Sequence, residues 1–476
     1  MKSLKTFLIR ISGFLTLIIL TAGSISIPPS ARHWFGLLTI KPITYRLYLS
    51  EAESGSRLFI LNPKANEIPL DTLFFRNDSL IFSRADFFST FEGAYDKRSQ
   101  TIQGYWTDDG HKKHRVTFRP VLPDTLTGLH PRNTSVFIRK EPDVLDDGIR
   151  TGSPSKHKIK EALMDSLMFR IMDETFPNIH SVLIARDNYL VCEEYFYGWK
   201  QPGLQVIQSV TKSLTGALTG IALGKGEIKN VNESICAYLP EYRDACNEQN
   251  KSITLHQLLS MSTNLEWDEL QYNYGDERNS QAVCSKFENP FDCLLSQRKI
   301  PGESPVFAYN SLHHLAMNKI LRKATGRRNP KELKERLLEP LGIKRVNTWK
   351  EEHGVIGDIS ITPRDMLKFG LLYLNEGKWN DKQVVPAAWV SESTSPKIKI
   401  GPGEGYGYFF WTKQFTVNGK PVDTFYAWGY GGQYIFVVPE IKLVVVMTAS
   451  NWVMDEKKYA FKMMEDFILP ACLARQ

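Results

Sequence analysis

The sequence predicts an α+β chain in two parts: a small all-β domain, then an antiparallel sheet flanked by helices with a helical lobe. Three observations predict it. Short strand-like runs separated by turn residues recur between residues 41 and 121, the pattern of a small antiparallel barrel or sandwich. Strand-like text returns at 181–186 and 189–195 and then, much later, at 407–411, 434–438 and 443–447. The text between those two groups is largely helical, so strands from both ends enclose a helical middle.

In chain order, residues 1–30 read as a signal peptide or membrane anchor. Met1, Lys2, Lys5 and Arg10 lie in or beside a basic start, and 11–27 are almost uncharged and mostly apolar. Ala22-Gly23-Ser24 offers small residues for cleavage, while the apolar run is near the lower length limit for spanning a bilayer. No Cys follows the apolar run, which argues against a lipid anchor. Either reading places the bulk of the chain outside the cytoplasm: periplasmic, secreted, or tethered to the outer face of the inner membrane.

The β domain is expected over 40–121, with strands at 45–49, 57–61, 79–82, 90–95, 101–106 and 114–118 and a turn at Asp108-Asp109-Gly110. Pro, Gly, Asp and Ser then crowd together over 122–158, an extended linker. The second domain, 159–476, opens on a helix near 159–172 and closes on one near 457–469 that would cover the sheet.

Composition narrows the function classes. With 476 residues, 42% hydrophobic and 23% charged, the chain has room for more than one domain and is not a disordered segment. The net charge of +7 is spread among acids, with no basic stripe for nucleic acid. Cys236 and Cys246 are close in sequence, as are Cys284 and Cys293. Local disulfides are the preferred reading in an oxidising compartment, with free buried thiols as the alternative. No Cys-x-x-Cys or His cluster suggests a metal, and the adjacent His313 and His314 read as structural. No cofactor is called for.

The chemistry gathers at Val206-Ile207-Gln208-Ser209-Val210-Thr211-Lys212. Ser209 heads an apolar helical stretch running to about Gly224, and positions i and i+3 share a helix face. Lys212 can therefore reach the Ser209 hydroxyl. A serine is a weak nucleophile until a neighbouring base takes its proton. At a helix start its backbone N–H also lacks an intrahelical partner and points at any oxyanion forming there.

Four further stretches follow in order: Ile253-Thr254-Leu255-His256-Gln257-Leu258-Leu259-Ser260-Met261, Phe307-Ala308-Tyr309-Asn310-Ser311, Ile361-Thr362-Pro363-Arg364-Asp365-Met366 and Gly429-Tyr430-Gly431-Gly432-Gln433. With the Ser209 stretch, they make residues 181–450 resemble the serine β-lactamase and penicillin-binding-protein superfamily, in its class-C-like and esterase branch. The resemblance implies the superfamily's sheet and helical lobe, with the active site between them. It also implies Tyr309 as the group that passes a proton to the leaving group beside Ser209 and Lys212. The region before the linker is similar to the lipocalin-like module that precedes some serine hydrolase domains; a packing or spacer role is the simpler expectation for it.

Two departures bear on substrate. Ser311 stands where class C enzymes carry Asn, with Asn310 between it and Tyr309. The edge strand reads Ala427-Trp428-Gly429-Tyr430-Gly431-Gly432-Gln433 where penicillin-recognising members place a Lys or His. A substrate carboxylate loses its obvious partner there, while Trp428 and Tyr430 make the wall aromatic. Gly429 and Gly431 would let backbone approach closely, and the N–H near Tyr430 would complete an oxyanion hole with that of Ser209. This combination is similar to that of 6-aminohexanoate-dimer hydrolases and related esterases. Asp365 follows a Thr362 cap and Pro363 and reads as part of a helix start, without a catalytic role.

The sequence is thus read as an extracytoplasmic serine hydrolase acting on a small-molecule ester, amide or peptide. The alternatives are a true β-lactamase or D-alanyl-D-alanine carboxypeptidase, and a silent binding or sensor protein on the same scaffold. Loops between Asn264 and Pro301 are expected to shape the pocket, and the sequence leaves the oligomeric state open.

Overall fold

The computed structural model describes residues 33–473 apart from 41–42, 53–54, 62–64, 69–71, 77, 85–88, 109–110, 123–125, 127–129, 133–135, 240–245, 273–275, 288, 301, 303, 349–358 and 452–455. The expected leader over 1–30 and the turn residues Asp109 and Gly110 lie outside the described residues. The chain divides into two compact units, Met1–Leu126 and Thr127–Gln476.

In the first unit, His33–Ile40, Ile43–Ala52, Gly55–Leu61, Ala65–Ile68, Thr72–Arg76, Ser79–Arg84, Ser89–Asp96, Thr101–Thr107 and Lys113–Pro120 form one antiparallel sheet. Successive strands pair as hairpins apart from Ala65–Ile68 and Thr72–Arg76, which are the two edges of the sheet, and the first strand also pairs with the last, Trp34 opposite Pro120. Alternation selects the inner face: Ile102 and Trp106 are buried while Gln103 between them is exposed. Leu58 towards one flank and Leu80 and Phe82 towards the other join a single cluster with Trp34, Phe91 and Phe118. A sheet whose flanks share one core has curled on itself, and here its own aromatic side chains fill it. The sheet starts at His33, ahead of the domain boundary expected at 40, and His33–Ile40, Ala65–Ile68 and Thr72–Arg76 are additional to the expected set.

The second unit is built on a sheet ordered Arg150–Thr151, Tyr189–Tyr195, Ile179–Arg186, Leu443–Ala449, Gln433–Val438, Lys420–Gly429, Trp411–Val417, Glu404–Tyr406 and Ile398–Gly401. All pairings are antiparallel except that of the two-residue Arg150–Thr151. Strands from the two ends of the unit meet at its centre, with Leu183 opposite Val446. Leu443–Ala449 is buried along its whole length, as expected where both faces are covered. The Pro363–Leu374 helix packs on one face. Its Thr362 cap accepts from the Asp365 N–H, and Pro363 takes the first turn, as the sequence predicts. The closing helical segment runs through Glu456–Met463, Met464–Ile468 and Leu469–Leu473.

The described part of the expected 122–158 linker runs mostly without helix or strand, and its second half is held by side chains of the helices that follow. Fully buried Arg364 donates to Glu193 (2.8 Å) and to Asp147 (3.0 Å), and Arg139 donates to Asp165 at 3.1 Å. One expectation needs correction. The run 407–411 is not a strand: Glu404–Tyr406 ends before it and Trp411 starts the next. Phe409 takes a left-handed φ of 58°. The Tyr408 N–H turns to the Ser393 carbonyl (2.8 Å) and the Phe409 N–H to the Leu259 carbonyl (3.0 Å). The bend spends its backbone bonds on neighbouring helices instead of the sheet ladder.

The structure closes Cys236–Cys246 and Cys284–Cys293 as disulfides, with Cα separations of 6.0 and 5.5 Å. Cys192 and Cys472 are free thiols.

Candidate active site

Ser209 immediately precedes the helix Val210–Gly224, which is buried from Val210 through Ala222. Gln205–Val206 leads into it by pairing with Ile359–Ile361, and the Ile207 N–H continues that ladder to the Ile359 carbonyl at 3.0 Å. Gln208 then turns through φ 49°, a left-handed conformation that costs a non-glycine residue free energy and persists only where the surroundings impose it. The turn releases the Ser209 side chain from capping the helix.

The hydroxyl faces Lys212 instead. Lys212 Nζ donates to Ser209 Oγ at 3.0 Å and to Ser311 Oγ at 3.2 Å. Its side chain is only 5% exposed, so the terminal nitrogen has exchanged water for these two oxygens. Nζ also lies 5.1 Å from the centre of the Tyr309 ring. Ser209, Lys212, Tyr309 and Ser311 are thus brought together from two helix starts about a hundred residues apart.

Ser311 begins the helix Ser311–Thr325. Asn310, expected among the substrate-binding residues, is committed to that helix: its side chain accepts from the Leu312 N–H at 2.8 Å, and the residue is 1% exposed. Capping suits Asn, whose short amide reaches the unpaired N–H groups of the first turn. In the same helix His313 and His314 lie inward near Lys212. Burial pushes the His313 imidazole down to about 3, with Lys212 adding to the effect. His314 Nε2 meets Thr215 Oγ1 at 2.9 Å. His313 Nε2 meets Thr263 Oγ1 at 3.2 Å, and both contacts fit a structural role.

On the sheet side, Lys420–Gly429 ends against the nucleophile segment. A Cβ on Gly429 would stand 2.3 Å from the Ile207 carbonyl oxygen and 3.0 Å from Gln208 Cβ. Only glycine permits that approach. Tyr430 follows in the turn to Gln433–Val438, and Gly431 takes φ 83° with its carbonyl accepting from the Asn451 N–H at 2.9 Å. Trp428 is half-buried and meets Trp411 edge-on at 5.2 Å, while Tyr309 stacks on Trp411 at 5.7 Å. These rings form one continuous aromatic cluster, in which Tyr309 and Trp411 are buried.

Sequence reasoning missed Trp411, Trp267 and above all Glu269. Glu269 is 3% exposed and accepts from Ser311 Oγ at 2.5 Å, from the Ser311 N–H at 2.8 Å and from Trp267 Nε1 at 3.0 Å. It belongs to the loop expected to shape the pocket, but no motif or period marks it. Among the described residues no cluster of His, Cys, Asp and Glu could hold a metal ion, and no helix is long and apolar enough to cross a membrane.

The arrangement offers a hydroxyl paired to a buried amine, a phenol beside both and a helix N-terminus facing the same point, the parts that acyl transfer requires. Comparison with known proteins agrees at the level of family. The 6-aminohexanoate-dimer hydrolase of Paenarthrobacter ureafaciens is 23% identical over 284 residues, which is 56% of this chain and 71% of that protein. In fold the chain is similar to EstCE1, a hydrolase with promiscuous acyltransferase activity (TM-score 0.51, 16% identity, 67% of this chain and 100% of that one). It is also similar to a penicillin-binding protein homologue from Caulobacter crescentus (TM-score 0.50, 13% identity, 68% and 99%). At these identities the two structures speak for the fold alone. Residues 180–462, more than half of the chain, match the family model described as Beta-lactamase, and the chain therefore belongs to the Beta-lactamase family.

Proposed function

We propose that this member of a hydrolase family is a serine hydrolase that cleaves ester or amide bonds of small molecules through an acyl-enzyme, as a carboxylesterase does. The observation that carries the reading is the 3.0 Å contact between Lys212 Nζ and Ser209 Oγ, buried at the head of a helix. Ser209 Oγ attacks the carbonyl carbon and its proton passes to Lys212. The backbone N–H groups of Ser209 and Tyr430 hold the oxyanion. Tyr309 passes a proton to the departing alcohol or amine, and water then releases the acyl group from Ser209. No cofactor enters these steps.

The half-buried Trp428 and exposed Tyr430 favour uncharged, apolar acyl or alcohol groups. Recognition of a β-lactam or peptide carboxylate draws on a fixed cation, and such a charge-assisted bond contributes roughly 1.5–3 kcal/mol. The edge strand 427–433 supplies none, and without one such binding weakens by about one to two decades. Export through the N-terminal segment is part of the proposal. Two disulfides in one unit support it, because such bonds persist in oxidising compartments.

A fluorophosphonate probe tests the nucleophile: it should label Ser209, and Ser209→Ala should abolish both labelling and turnover. Label mapped to Ser213 or Ser311 would overturn the assignment. Short-chain p-nitrophenyl esters should be turned over at least about tenfold more efficiently in kcat/KM than nitrocefin. Efficient nitrocefin hydrolysis beside negligible esterase activity would replace the esterase reading with a β-lactamase one.

A further inference from the structure

We infer that Glu269 is the positioning residue of this site, acting through Ser311 to hold Lys212 against Ser209; the inference rests on the acyl-enzyme reading above. A carboxylate can only accept hydrogen bonds, whereas a serine hydroxyl has one hydrogen to give and two lone pairs. Because Glu269 Oε1 takes the Ser311 hydrogen at 2.5 Å, the Ser311 lone pairs are turned towards Lys212. Lys212 Nζ, a donor 3.2 Å away, is the group that meets them. Ser311 is therefore a one-way bridge, and Lys212 is held by two oxygens, one of them the nucleophile.

Glu269 is itself fixed from several sides. Its Oε2 accepts from the Ser311 N–H and from Trp267 Nε1. Its carbonyl accepts from Asn279 Nδ2 at 3.0 Å, and that Asn is fully buried. The neighbouring Asp268 exchanges backbone and side-chain bonds with Ser280. A buried carboxylate held this firmly does not reorganise during the reaction. When Lys212 takes the Ser209 proton and becomes an ammonium, the Ser311 oxygen and the carboxylate behind it are already oriented towards the new charge. That contribution grows at the transition state, so it should appear in kcat and leave substrate binding alone.

The experiment compares wild type, Glu269→Gln, Ser311→Ala and the double variant on p-nitrophenyl butyrate, with Ser209→Ala as control. Gln offers an N–H2 that can donate to Ser311 Oγ and so turn the bridge around. Glu269→Gln should lower kcat about 10- to 100-fold, the factor carried by one bond to a charged group, while KM stays within about twofold. The double variant should be no slower than Ser311→Ala alone, because the two residues act as one unit. Wild-type kcat in Glu269→Gln, or losses that simply multiply, would overturn the inference. If Glu269→Gln does not fold, Trp267→Phe, which removes one donor from Glu269, should lower kcat at unchanged KM; an unchanged kcat there counts equally against it. Turnover surviving in Ser209→Ala would instead refute the mechanism on which the inference stands, so the two failures are told apart.

Discussion

The Ser213 hydroxyl donates a 2.6 Å hydrogen bond to the carbonyl of Phe409. Four residues along from the proposed nucleophile, the helix is thereby tied to the bend that interrupts the sheet's aromatic strand text. The bond is buried, so neither partner has water as a substitute.

Ser213→Ala should therefore cost about 1–3 kcal/mol of stability, the range for leaving one buried polar group unpaired. Equilibrium denaturant unfolding reads the loss directly. Fluorophosphonate labelling of Ser209 should survive in this variant, which separates a serine that holds the helix from one that reacts.

Gly429→Ala places a methyl group 2.3 Å from the Ile207 carbonyl. One of the two segments has to retreat, and both flank the proposed oxyanion hole. A displacement near 1 Å at a reacting centre costs up to about a hundredfold in rate. The expected result is a loss of about 10- to 100-fold in kcat/KM towards p-nitrophenyl esters, with unfolding changed by no more than about 1–3 kcal/mol. Full activity would show that the edge strand does not set the site.

Acid should destabilise the second unit through His313. Burial holds the folded imidazole down to about 3, whereas in the unfolded chain it titrates near 6.5. Between those values the unfolded chain binds a proton that the folded one refuses. Stability is then complete above about pH 6.5 and declines as pH falls towards 3, by about 1.4 kcal/mol per pH unit from this group. His313→Asn should flatten that part of a denaturation profile measured from pH 7 to 4. An unchanged slope would mean that other groups carry the acid sensitivity.

Non-reducing peptide mapping should return Cys236–Cys246 and Cys284–Cys293, with buried Cys472 alkylated only after unfolding and half-buried Cys192 alkylated slowly, since burial pushes both thiols up. Removing Cys284–Cys293, which closes a separation of 9 residues, should cost about 2–3 kcal/mol by loop-closure entropy. The tie lies beside the segment that carries Glu269, so the double Cys→Ser variant should also lose esterase kcat.

What could be read from the sequence was what is local. Ser209 and Lys212 reveal each other because helix geometry fixes their distance from spacing alone. The strand groups at 181–195 and 434–447 were legible from their uninterrupted apolar runs. Glu269 was not, since it reaches Ser311 across 42 positions on a loop whose course no periodicity encodes. Residues 407–411 failed for the opposite reason: Tyr408, Phe409, Phe410 and Trp411 read as a buried strand, but their hydrophobicity serves packing against the helix at Ser213, and a left-handed Phe409 breaks the extension. The 122–158 stretch carries linker composition, yet Asp147 is spoken for by Arg364, 217 positions away.

The pairing of Leu183 with Val446 has a consequence in time. During synthesis the early strand Ile179–Arg186 leaves the ribosome some 260 residues before its central neighbour exists, a delay of about 13–50 s at ordinary elongation rates. Throughout that interval a largely apolar strand has its hairpin partner on one side only, the situation in which chaperones and aggregation compete for a chain. A stop codon anywhere before residue 443 would therefore produce not a smaller enzyme but a sheet missing its middle.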